Sequence, residues 1–190
     1  MNRYKVVLAS ASPRRRELLA GLDIDFEVRT LPDVDESFPT TLQGGDIPLY
    51  ISKKKADAYR PIMADDELVI TADTIVWLDG KALGKPTDEA DARRMLRDMS
   101  GKTHSVFTGV TITTKGEQHC FVAQSDVTFA TLADDEIDYY INKYRPMDKA
   151  GSYGVQEWIG YIGIEKISGS YFNVMGLPVQ RLYSELRTVL

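Results

Sequence analysis

A chain of 190 residues has room for one compact domain, or for two small lobes that share a core. Its 43% hydrophobic and 27% charged residues make a soluble-globular balance without signs of disorder, and no apolar run is long enough to read as a membrane span. The net charge of −5 gives no general reason to bind nucleic acid or anionic lipid, so an anionic ligand needs a local basic site.

In chain order, KVVLA at 5–9 reads as a short buried strand. Ser12 followed by Pro13 has the form of an N-cap with a proline at the first helical position, and the predicted helix carries Leu18, Leu19 and Leu22 on its apolar side. FEVR at 26–29 reads as a strand, residues 32–46 as a polar loop, and 48–64 as a helix with Leu49, Ala56 and Tyr59 facing inward. ELVITAD and TIVWL are β-rich runs on either side of Ala72 and Asp73, which places Asp73 at a strand end. Asp79-Gly80 signals a tight turn. Thr87 is expected to cap a helix reaching about Met99, with Asp88 and Glu89 at its positive end and Ser100-Gly101 as its stop. Residues 104–114 and 119–132 read as long antiparallel strands joined around Lys115-Gly116. A helix over 134–144, a glycine-rich loop at 148–154, a strand over 159–167, a tight loop around 168–171 and a last helix from Pro178 complete the reading. Helices intermingle with strands, yet a long hairpin sits in the middle, so mixed α/β fits better than a purely parallel sheet. One domain spanning 1–190 is expected, with two lobes around a cleft.

Several segments carry chemistry. SASPRRR at 10–16 combines a helix N-terminus, whose free amides suit phosphate, with the fork-shaped donors of Arg14, Arg15 and Arg16; a capped helix with a solvated basic turn is the alternative. Asp73 can orient a water, bind a divalent ion or cap a turn. Asp65, Asp66 and Glu67 read as solvated loop charges, whereas Asp35-Glu36 can supply another metal-directed carboxylate. Of Lys53, Lys54 and Lys55, about 100° apart around a helix, Lys55 is the one expected to face a ligand. Lys85, in a rigid GKP turn, can reach a phosphate or simply shape a loop. In DKAGSYGVQ at 148–156, two glycines permit close backbone approach, and Gln156 offers both a donor and an acceptor to the mixed edge of uracil or thymine.

Other classes are marked down. His104 and His119 are the only histidines, no cysteine–histidine cluster has zinc spacing, and neither GxSxG nor GxxxxGK[ST] is present. Cys120 is the only cysteine, which excludes an internal disulfide and favours a reducing compartment. The start, MNRYKVVLAS, shows no apolar region with a cleavage site, and a cytoplasmic location is expected.

Together these residues resemble the Maf family, also named for septum formation. The matching segments are SASPRRRELL at 10–19, VDES at 34–37, KKKA at 53–56, ITADTIV at 70–76, GKP at 84–86, SGKTHSVFTGV at 100–110, DKAGSYGVQ at 148–156 and SGSYFNVMGLP at 168–178. They span almost the whole chain in the family's order. The resemblance implies a mixed twisted sheet flanked by helices, of the inosine-triphosphate-pyrophosphatase type, with a nucleotide cleft and frequent homodimers. It also implies hydrolysis of a nucleoside triphosphate between its α- and β-phosphates with a divalent metal, Mg or Mn. Carried over by position, Asp73 is the proton acceptor and Arg14, Thr74 and Gln156 are the specificity positions. The resemblance further implies phosphate-binding roles for Ser10, Ser12, Arg14, Arg15, Lys55 and Lys85, with Glu36 and Asp73 as candidate metal contacts. Three segments, SPRRR, ADT and AGSYGVQ, favour the subgroup that cuts dTTP and UTP over relatives that cut 7-methyl-GTP. A nucleotide-binding regulator of septum formation with little turnover is the rival from another class. One mechanistic tension accompanies this reading: an ordinary aspartate, of pKa about 3.9, is a weak base at neutral pH. Either the metal acidifies the water and Asp73 orients it, or Asp73 stands off the metal in a less polar spot.

Overall fold

A computed structural model describes residues 4–32 and 34–189. Among them, seven strands form one sheet: β1 (Lys5–Leu8), β2 (Phe26–Val28), β3 (Glu67–Leu78), β4 (Lys81–Leu83), β5 (Thr103–Thr113), β6 (Gln118–Phe129) and β7 (Ile164–Ser168). The order is β2-β1-β3-β5-β6-β7, with β4 paired to β3. β1 is parallel to β2 and to β3, and the remaining pairings are antiparallel, so the sheet is mixed as expected.

The helices are α1 (Pro13–Ala20), α2 (Asp46–Tyr59), α3 (Glu89–Met99), α4 (Asp134–Tyr144), α5 (Trp158–Gly163), α6 (Tyr171–Met175) and α7 (Val179–Val189). Side chains alternate along β3, and each face has its own cover. Leu68, Ile70 and Ala72 pack with Leu18 and Leu19 of α1 and Leu182 and Leu186 of α7. Further along the same face, Val76 and Leu78 pack with Leu96 of α3 and Ile137, Tyr140 and Ile141 of α4. The opposite face, through Val69 and Ile75, is covered by Tyr59, Ile47 and Ile51 of α2. Two core clusters therefore share one long strand, and Met175 packs against both.

Several expected boundaries shift. β3 is one continuous strand, so Asp73 lies in its middle rather than at an end. β5 pairs with it from Val69 to Trp77, and that ladder leaves no break at Ala72. The α2 helix runs 46–59 rather than 48–64, and Leu49 is only partly buried while Ile47 and Ile51 fill the core. Asp88, not Thr87, caps α3 by accepting from the Asp91 amide; Thr87 instead donates its N–H to the Asp91 carboxylate. Residues 158–163 are helical rather than extended. Buried Ile159 and Gly163 are four apart while Tyr161 is 83% exposed, which is a helical period rather than a strand's alternation. The expected tight loop around 168–171 leads into α6, capped by Ser170. Glu67 is not a solvated loop charge. It begins β3, is buried, and receives two hydrogen bonds from Arg29 at 3.0 and 2.7 Å.

Candidate functional site

The site grows from the ragged edge of β3. β1 pairs with β3 only as far as Ile70, and β4 takes up the same edge only from Val76. Between these points the edge faces a cleft, and backbone groups there need other partners. Arg15 supplies one: its Nη1 donates to the Ala72 carbonyl at 2.8 Å, its Nε to the Gly176 carbonyl at 2.9 Å and its Nη2 to the Thr74 hydroxyl at 3.1 Å. A single guanidinium thus ties α1, β3 and the α6–α7 connection together. Removal from water depresses the pKa of Arg15, against which the Asp73 charge works. Arg15 lines the cleft as the sequence pattern expects, but three of its donors serve protein oxygens.

The cleft has a volume of about 770 Å³, ample for a nucleotide. Ser10 and Ser12 line one wall at the start of α1. Ser12 accepts from the Arg15 amide at 3.4 Å and Ser10 from the Ser12 amide at 3.2 Å, so the turn before the helix is locked by its own hydroxyls. Arg14 lies beside them and donates to Asp148 at 2.9 Å across the cleft. Arg16 is exposed and does not line the cleft.

The opposite face of β3 contributes Asp73, and α2 contributes the lysine above it. Lys55 Nζ lies 2.9 Å from Asp73 Oδ1 and 2.9 Å from Glu36 Oε1. The Lys55 and Asp73 side chains are 14% and 13% exposed, while that of Glu36 is 53% exposed. Partial burial opposes ionisation of Glu36, but Lys55, with help from Lys85 and Arg15, overrides it and holds the carboxyl below its ordinary range. The neighbouring lysines separate as helical spacing demands: Lys54 turns to Asp35 and Ser37, and Lys53 is exposed. Asp35 is therefore committed outside the cleft, and Glu36 is the loop carboxylate that enters it.

The close approach of α2 to the sheet depends on Gly109, which pairs with Asp73 across β3 and β5. A Cβ there would sit 2.4 Å from the Leu49 nitrogen and the Pro48 carbonyl carbon. Thr74 points to the other face, where its hydroxyl meets that of Thr108 at 2.9 Å. Lys85 is exposed on the cleft wall formed by the β4–α3 connection.

The last wall is the loop 148–157, and it contains functional groups beyond those anticipated. Lys149 is buried, donating to Asp148 at 2.9 Å and pairing with Glu157 at 3.1 Å. Glu157 accepts from the Tyr140 hydroxyl, which in turn accepts from the Gly154 amide at 3.0 Å. A chain of charges and hydroxyls therefore runs from α4 through the loop to Arg14 on α1. Partial burial disfavours the charged Asp148, but Lys149 and Arg14 outweigh it and hold its pKa at about 2. Asp148 and Lys149 sit in the motif that pointed to Gln156; only the fold pairs one with Arg14 and the other with Glu157. Gln156 closes the wall with a buried Oε1 that has no hydrogen-bond partner among the described residues. A buried acceptor without a donor is costly unless a ligand supplies one.

The ten positions carried over from the family resemblance thus line one cleft, namely Ser10, Ser12, Arg14, Arg15, Glu36, Lys55, Asp73, Thr74, Lys85 and Gln156, whereas Arg16 and Asp35 do not. His104 lies outside it, buried with its Nε2 at 2.7 Å from the Tyr153 hydroxyl. Among the described residues, no helix is long and apolar enough to cross a membrane.

Comparison with known proteins bears on the family and the fold. Proteins called dTTP/UTP pyrophosphatase from Bacteroides fragilis strain YCH46 and from Phocaeicola vulgatus are 64% and 65% identical to this chain over 187 residues. Each alignment covers 98% of this chain and 97% of the relative. A protein of the same description from Porphyromonas gingivalis strain W83 is 56% identical, covering 98% of this chain and 95% of its own. In fold, the chain is similar to the solved Ham1 protein of Staphylococcus aureus, with a TM-score of 0.54 at 16% identity, over 98% of this chain and 100% of that one. The family model described as Maf-like protein matches residues 5–189, and the chain belongs to the Maf family.

Proposed function

We propose that this chain is a nucleoside triphosphate pyrophosphatase that hydrolyses dTTP and UTP to the monophosphate and pyrophosphate. The observation that carries the reading is the meeting, in one cleft, of a carboxylate held under a lysine, a set of phosphate-directed cations and a glutamine with an unsatisfied buried acceptor. Gln156 reads the base: its Oε1 accepts the N3–H of uracil or thymine, and its amide donates to a neighbouring carbonyl. Cytosine has a lone pair at N3, so the same oxygen would face another acceptor and remain unpaired.

The phosphates lie against Arg14, Lys55 and Lys85 and the start of α1, where the cations neutralise the charge that grows on departing pyrophosphate. Water attacks the α-phosphorus, the bond to the bridging oxygen of the β-phosphate breaks, and pyrophosphate leaves with that oxygen. Asp73 orients the water and receives its proton. The donor set also fits a hard divalent cation: Glu36 and Asp73 already share one cation, the Lys55 ammonium. A bound Mg or Mn ion would neutralise phosphate charge and acidify the water.

The same proposal treats residues 1–190 as a single catalytic domain, working in the cytoplasm as a homodimer on free nucleotide rather than on nucleic acid or a membrane. Light scattering after gel filtration checks the pairing. The decisive assay is pyrophosphate release from dTTP, UTP, dCTP, CTP, GTP and 7-methyl-GTP, with and without Mg and Mn. Metal-dependent turnover highest on dTTP and UTP is expected. A preference for 7-methyl-GTP, or binding without turnover, would overturn the assignment.

A further inference from the structure

The Lys55 ammonium sits between the Glu36 and Asp73 carboxylates, the pair that would hold a divalent ion. It lies 2.9 Å from an oxygen of each carboxylate. Its side chain is 14% exposed and springs from a helix whose adjacent Ser52, Ala56 and Tyr59 are buried, so it is a lodged cation and not a wandering surface lysine. Among the described residues, no group of three or more histidine, cysteine, aspartate or glutamate side chains is placed to hold a metal. Two carboxylates leave most of the roughly six positions that Mg²⁺ prefers to be filled by water or by substrate oxygens. A dication held by these two carboxylates would compete with an ammonium paired to both, and the two cations would repel each other.

We propose that Lys55 is a resident cation that keeps free divalent metal off the Glu36–Asp73 pair, so that metal enters only together with the triphosphate. An arriving metal–triphosphate complex supplies what free metal lacks. Its phosphate oxygens complete the coordination shell, and their negative charge offers the ammonium a new partner as it leaves the carboxylates. Lys55 is then transferred from carboxylate to phosphate in the same event that loads the metal. It keeps the enclosed Asp73 and the more exposed Glu36 paired, two carboxylates that would otherwise repel each other. The inference rests on the metal dependence proposed above.

Mn²⁺ titration followed by electron paramagnetic resonance tests it on the full chain, alone and with the α,β-methylene analogue of UTP. Wild-type protein is expected to bind Mn²⁺ at least tenfold more tightly with the analogue than without it. Lys55→Gln is expected to bind Mn²⁺ without analogue at least tenfold more tightly than wild type. Lys85→Gln removes the same charge from the cleft, but Lys85 forms no ion pair with either carboxylate among the described residues, and the variant is expected to shift the affinity for Mn²⁺ without analogue less than threefold. Lys55→Arg, which restores a cation, should return the wild-type behaviour and guards against misfolding of the glutamine variant. Equal shifts from Lys55→Gln and Lys85→Gln would overturn the proposal, as would tight Mn²⁺ binding by the wild type alone. If Mn²⁺ binds under none of these conditions and pyrophosphate release proceeds without metal, the metal dependence itself falls.

Discussion

Asp73 is held by a single 2.9 Å contact to Lys55 and is mostly enclosed, a setting in which a carboxylate has a defined direction. Its replacement by Asn keeps shape and removes charge, so turnover of dTTP should fall by about 10²-fold or more while the thermal midpoint stays near that of the wild type. Near-normal turnover in a folded Asp73→Asn protein would remove Asp73 from the chemistry. Gln156→Glu should change the ranking of nucleotides more than overall stability, as measured by kcat/KM across the pyrimidine panel; an unchanged ranking would count against base readout. His104 gives a stability prediction. Burial, only weakly opposed by Asp126, pushes its pKa from 6.5 down to about 4. The folded pKa lies below the unfolded one, so the unfolded chain takes up the proton first. Stability is then full above about pH 6.5 and declines as pH falls toward about 4. A difference of that size corresponds to a few kcal/mol. Urea midpoints across this window should fall more steeply for the wild type than for His104→Gln.

At the scale of elements, the site depends on where strands stop. β3 runs on past the end of β1, and the exposed stretch of its edge is taken by Arg15 instead of a strand. That arrangement was not legible in ITADT, because whether a strand ends or continues is decided by its partner, here β5. The same holds for Glu67, which local polarity assigned to a loop and which Arg29, 38 residues away, draws into the buried start of β3. Local signals with a local cause survived better. Ser12-Pro13 opens α1, Asp79-Gly80 turns β3 into β4 with positive φ at both residues, and the hairpin joined around Lys115-Gly116 stands, with β6 ending at Phe129 rather than at Leu132. The seating of α2 makes a sharp prediction. Gly109→Ala places a Cβ against α2 backbone, which cannot rotate away as a side chain would. A loss of about 1–3 kcal/mol in unfolding free energy is expected, together with reduced kcat as Lys55 is displaced from Asp73. Unchanged stability and kcat would show that the contact carries no strain.

For the whole molecule, the contrast lies between a net charge of −5 and a cleft lined by Arg14, Arg15, Lys55, Lys85 and Lys149. Several of those cations are held by carboxylates, so the cleft is ordered without strong repulsion among its cations. Attraction of a triphosphate is therefore local and open to screening. The KM for dTTP, measured at saturating metal, should rise several-fold between dilute buffer and about 1 M salt, where the Debye length shrinks to roughly 3 Å. A KM indifferent to salt would mean that the base, not the phosphates, dominates binding.

From its own residue types the chain determined which groups line the cleft: arginines at a proline-capped helix start, one acid after an apolar run, a glutamine behind paired glycines. Those choices depend on side-chain chemistry and on turns a few residues long, and both are readable in one dimension. What the groups do to one another was decided in three dimensions, because ion pairs depend on distance. Arg14 meets Asp148 across 134 residues, and Lys55 reaches Asp73 only because Gly109 lets α2 settle on the sheet. Arg15 became a strut between elements once an unpaired strand edge needed a donor.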